Sequence, residues 1–239
     1  MKKIYLSLLF LILAALFYSC TGAPGAPGIN AADGASVMIL QNGVSPYSSW
    51  AGISDTEIIS GGPTYNHGDC DTMHAGYYNS VGSYIMRSLI KVDLSVIDPQ
   101  DVTIVDAYLK FYVSAIAGTT TLTAYAVTTN WQQGTGPCGT GTTTDATWNR
   151  SATGLNWTSS GADFSATPAS DTIEINTAGF FVLKLNTAVV QSWITSPAQN
   201  FGILLKGANE TPSFNQINIT TSEVNSEYGP KFTVYYRLP

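Results

Sequence analysis

The densest set of reactive side chains lies between His67 and Asn79, in "HGDCDTMHAGYYN": His67, Asp69, Cys70, Asp71, His74, Tyr77 and Tyr78. Carboxylates and backbone carbonyls in such a loop are the donors calcium takes, which makes Asp69 and Asp71 the candidate calcium ligands. No EF-hand spacing is present, so a site would have to be assembled across loops. Both histidines sit in this one segment, and the chain contains no G-x-S-x-G, H-E-x-x-H or P-loop. Glycoside hydrolysis needs two carboxylates flanking the bond, and nothing marks such a pair. The expectation is a protein without catalysis, with a polysaccharide lyase or hydrolase as the alternative.

A second chemistry is spread over strand-like segments. Arg87 and Lys91 in "MRSLIKVDLS", and Tyr108, Lys110 and Tyr112 in "VDAYLKFYV", fall on the faces opposite their apolar neighbours. Cations beside tyrosines suit an acidic polysaccharide: rings cover sugar C–H surfaces while ammonium and guanidinium groups meet carboxylates. This requires the two segments to share a sheet. The stretch from Thr129 to Trp157 adds Trp131, Trp148 and Trp157 among Gly, Thr and Asn. Trp131 and Trp148 adjoin alternating pieces and are expected to pack, as is Trp193. Trp157, followed by "TSSGAD", is the freest and joins Arg87, Lys91, Tyr108, Lys110 and Tyr112 as a candidate ligand-binding residue.

These side chains are positioned by elements of period two. Ala107, Leu109, Phe111 and Val113 share one face; Ser88, Ile90, Val92 and Leu94 share another; Phe232, Val234, Tyr236 and Leu238 a third. "NFGILLKG" and "TLTAYAV" alternate similarly, with Gly, Pro, Asn and Asp between the runs. The spacing predicts an all-β fold, a two-sheet antiparallel β-sandwich of jelly-roll type. One stretch differs: Val189, Val190 and Trp193 fall at helical spacing behind Asn186 or Thr187 as cap and ahead of Pro197. A single short helix should lay Trp193 over an open end.

The chain of 239 residues has only 11% charged residues and a net charge of -6. Without a basic cluster it is a poor partner for nucleic acid. Residues 1–20 read as a signal peptide, with Lys2 and Lys3 ahead of an apolar run from Ile4 to Phe17. Ser19-Cys20 resembles a lipobox, which implies acylation at Cys20 and a lipid-anchored place in a bacterial cell envelope or outer surface. An ordinary secretory peptide cut near Ala23, or an uncleaved anchor, are the alternatives. Residues 21–35, rich in Gly, Ala and Pro, read as a tether, and 36–239 as one folded domain. With Cys20 assigned to the lipid, Cys70 and Cys138 remain as an even pair in an exported protein, and a disulfide is expected. Two free thiols, or a metal site with His67 and His74, are the alternatives.

The ordered set of segments resembles the DNRLRE-type domain. It runs from "DTEI" at Asp55, "NHG" at Asn66 and "MRSLIKVDLS" through "VDAYLKFYV", Trp131, "ATWN" and Trp157 to "VVQSWI", "NFGILLKG", "TTSE" at Thr220 and "GPKFTVYY". Val92 stands where that pattern usually has Phe, and the insert between Trp131 and Trp148 is longer. The resemblance implies a β-sandwich module of secreted and surface proteins, similar to carbohydrate-binding modules found beside polysaccharide-degrading enzymes. The expected function is surface-anchored binding of an extracellular, acidic polysaccharide; the alternative is a structural or adhesive surface protein with protein partners.

Overall fold

The computed structural model describes residues 34–80, 82–98, 101–138, 144–211, 214–224 and 227–239. The segments expected to be signal peptide and tether, Cys20 included, therefore lie outside the described residues, apart from residues 34 and 35. The described residues are mostly antiparallel β-strand with one α-helix, as the alternation predicts. In chain order the strands are β1 (Ser36–Leu40), β2 (Ile53–Ile59), β3 (Thr72–Ser80), β4 (Gly82–Val92), β5 (Thr103–Ile116), β6 (Thr120–Val127), β7 (Arg150–Ala152), β8 (Leu155–Asn156), β9 (Phe164–Ile175), β10 (Gly179–Leu185), β11 (Ile203–Gly207), β12 (Ile217–Thr220) and β13 (Lys231–Arg237). The helix α1 spans Thr187–Thr195.

Eleven of the strands pair into one continuous sheet, and β7 and β8 pair with each other apart from it. β5 pairs along one edge with β10, and along the other first with β13 and then with β12. From β10 the pairing runs through β9, β6, β11, β4, β3 and β12 and back to β5, an eight-stranded ring. β1 extends the β13 side, and β2 lies beside β4. Two strands bend to close the ring. β3 pairs with β12 up to Ala75 and with β4 from Gly76 onward. Gly76 has φ of +111°, and a Cβ there would meet the Asn215 carbonyl oxygen at 2.6 Å. Only glycine suits that corner. β9 pairs with β6 along most of its length and touches β10 at Ser170, with register shifts around Pro168, where a proline is tolerated.

Inside the ring sits the main core. Ala107, Leu109, Phe111 and Val113 of β5 meet Phe232 and Val234 of β13, Ile203 and Leu205 of β11, and Ile90 and Val92 of β4. Asn186 caps α1 by accepting from the Ala188 N–H at 2.9 Å, and Trp193 closes one end of the ring with its ring 6.4 Å from Phe232. Both features match the helical spacing.

A second core lies outside the ring. Ile58, Leu89, Val127 and Leu204 point outward from β2, β4, β6 and β11 and are covered by Trp131, Ala146, Trp157 and Ala162. The Trp-rich stretch after β6 is therefore a strap laid across the sheet. Trp131 is 1% exposed and Trp157 5%. Each indole N–H is satisfied, Trp131 Nε1 donating to Phe201 O and Trp157 Nε1 to Thr147 O, both at 2.8 Å. Trp157, expected to be the freest of the set, is packed instead, because its indole fills the gap between strap and sheet.

Candidate functional site

The predicted binding residues separate onto two sides of the ring. Arg87 and Lys91 lie on β4, beneath the strap. Arg87 forms a two-pronged ion pair with Glu210 (Nε–Oε1 2.7 Å, Nη2–Oε2 2.8 Å) and donates through Nη1 to Gly161 O at 2.5 Å. Its guanidinium carbon lies 5.0 Å from the centre of the Trp148 ring and 5.4 Å from that of Phe164. Arg87 thus pins the strap rather than presenting a free cation. Lys91 donates to Trp131 O at 3.2 Å, and burial lowers its pKa. The patch joining Arg87 and Lys91 to the β5 residues is not formed, because β4 and β5 face opposite sides.

Tyr108, Lys110 and Tyr112 lie on the outer face of β5, where no strap covers them. Tyr108 is largely buried, edge-on to Tyr235 at 6.1 Å, with Lys184 above it and Asp106 held by Lys184 at 2.8 Å. Burial raises the Tyr108 pKa, with Asp106 adding to the effect. Further along the strand the face opens. Tyr112 meets Phe180 at 5.0 Å and Tyr228 at 4.6 Å, while Phe180 and Tyr228 stack at 5.7 Å with planes 3° apart. The Lys110 ammonium sits 4.1 Å from the centre of the Phe180 ring.

Register brings one more cation here. Lys231 of β13 is the direct cross-strand partner of Lys110. Like charges opposed on one face of an antiparallel pair repel and destabilise the sheet. The Lys231 pKa is lowered, first by burial and then by Lys110. The face therefore joins a cation pair to three aromatic rings, an arrangement suited to an anion carried on an apolar ring. Phe180, Tyr228 and Lys231 were not among the sequence candidates. The alternation in "GFFVLKL" carries the signal for Phe180, which shares a face with Val182 and Lys184, but the match of Lys231 to Lys110 depends on register.

The reactive loop before β3 is drawn inward. Glu57 of β2 is buried between His67 (Nδ1–Oε1 3.1 Å) and His74 (Nδ1–Oε2 2.6 Å). Burial lowers the His67 pKa more than Glu57 raises it. Cys70 and Cys138 form a disulfide with Cα atoms 5.1 Å apart, as cysteine counting predicted, and it ties this loop to the strap. Asn66 does the same through its side chain, donating to Gln133 O and Ala146 O and accepting from the N–H groups of Gly68 and Gly136. Asp69 and Asp71 are exposed, and among the described residues no group of three His, Cys, Asp or Glu is placed to hold a metal.

Comparison with known proteins adds no relative: no family model and no curated protein matches the chain.

Proposed function

We propose that this chain is a surface-anchored, non-catalytic module of the DNRLRE-like, jelly-roll kind that binds an extended acidic polysaccharide on the outer face of β10, β5 and β13. The observation that carries this reading is the directly opposed pair Lys110 and Lys231 beside the rings of Phe180, Tyr112 and Tyr228. A carboxylate on a sugar ring would relieve the repulsion between the ammonium groups, while the aromatic faces take the ring's C–H surface. A sheet face is open at both ends, which suits the middle of a polymer.

The test is electrophoresis of the full chain in native gels cast with a uronate polymer or a neutral glucan. Retardation by the uronate polymer is expected, weakening as salt rises and lost in Lys110→Ala/Lys231→Ala. That double variant should keep its fold, since removing the repulsion offsets the loss of the Lys110 contact with Phe180 and of the attraction between Lys231 and Glu227. Equal retardation of parent and double variant, or none on any uronate polymer, overturns the reading.

One observation favours a structural or adhesive role instead. Val37 and Ile39 are exposed on β1, which among the described residues pairs only with β13 and so leaves an edge open. Concentration-dependent self-association, abolished by Val37→Lys, would support that reading.

A further inference from the structure

A separate cavity of about 370 Å³ opens at the end of the ring closed by α1, bounded by Ser54, Lys91, Asp93, Ser95, Trp193 and Asn200. Lys91 and Ser54 are cross-strand partners on β4 and β2, so the two residues line the cavity from neighbouring strands. Lys91 is the one cation among the lining residues; it donates to the Trp131 carbonyl oxygen at 3.2 Å and lies over the Trp131 ring, 5.0 Å from Nζ to ring centre. Among the described residues no carboxylate lies within ion-pair distance of it. An ammonium with three donors and one carbonyl acceptor has capacity left for an anion. Asp93 is already turned to the Ser95 N–H at 2.8 Å, leaving its second oxygen to accept a hydroxyl. Val92, Leu94 and Pro197 supply apolar wall between these groups.

We infer that this cavity is a second binding site, for a single sugar acid whose carboxylate meets Lys91 and whose hydroxyls meet Ser54, Asp93 and Ser95. The requirement for an anion stands on Lys91 alone; the choice of a sugar acid rests on the polysaccharide reading. The cavity closes against α1 on one side, so it suits a free monosaccharide or a chain end, where the open sheet face suits the middle of a chain.

The experiment is a titration of the full chain, held in detergent, with glucuronate, glucose and acetate, followed by saturation-transfer NMR and calorimetry. Glucuronate should bind and the other two should bind far more weakly. Lys91→Met keeps the apolar stem on Trp131 and should weaken glucuronate by about tenfold or more, the worth of a charge-assisted hydrogen bond. Ala51→Trp, at the cavity mouth, should block binding without touching Lys91. Both variants should keep the parent's retardation in uronate gels, whereas Lys110→Ala/Lys231→Ala should keep glucuronate binding. No glucuronate binding, or equal binding by folded Lys91→Met, overturns the site. Acetate binding as tightly as glucuronate overturns its assignment to a sugar.

Discussion

Replacing Asp55 by Asn should change how stability depends on pH, by an amount the structure sets. Asp55 is 1% exposed on β2; one carboxylate oxygen accepts from the Ser222 N–H at 2.8 Å, and the other has no hydrogen-bond partner. Burial, and then the charge of Glu223, raise its pKa from 3.8 to about 7. The folded state thus holds a proton that the unfolded chain releases near 3.8. This contribution to stability is full below that value, declines as pH rises, and is gone above about 7. The gap corresponds to about 4 kcal/mol. Glu223, also raised by burial, acts in the same direction. His67, lowered by burial, acts oppositely below 6.5 and cancels in the difference between parent and variant. An Asn amide leaves donors unsatisfied at a cost of about 1–3 kcal/mol, but equally at every pH. At roughly 2–4 °C per kcal/mol for a domain of this size, the melting advantage of Asp55→Asn over parent should grow by about 8–16 °C from pH 4 to pH 8. Calorimetric melting at both pH values measures it. A change under about 2 °C would mean Asp55 ionises in place without cost, refuting the argument that its site is dry.

Arg87→Lys should be almost as damaging as Arg87→Ala, about 2–4 kcal/mol in chemical denaturation, because an ammonium cannot hold Glu210 at two points and stack on Trp148 together. Reducing the disulfide, or replacing both cysteines with Ala, should cost about 4 kcal/mol for a bridge spanning 68 residues, seen as a lower melting temperature with the sheet signal retained at 25 °C. Gly76→Val should destabilise by several kcal/mol and give little folded protein, whereas Gly154→Ala, at a positive φ with open space around it, should cost only about 1 kcal/mol.

What the sequence determined by itself is local. Alternation in "DAYLKFYV" separated Ala107, Leu109, Phe111 and Val113 from Tyr108, Lys110 and Tyr112, because successive residues of a strand point to opposite faces whatever surrounds them. Helical spacing placed Trp193, and an even pair of cysteines predicted the bridge between Cys70 and Cys138. What tertiary structure decided is what lies against each face. Leu89 of β4 and Leu204 of β11 point away from the main core and still are buried, because Trp131, Ala146, Trp157 and Ala162 of the strap cover them. The same covering turned Arg87 into a pin and closed over Trp157. Periodicity tells which residues share a face, but a strap arriving from distant sequence leaves no period in the strand it covers. Register is likewise nonlocal: Lys110 and Lys231 are 121 positions apart, and only the pairing of β5 with β13 sets their charges side by side.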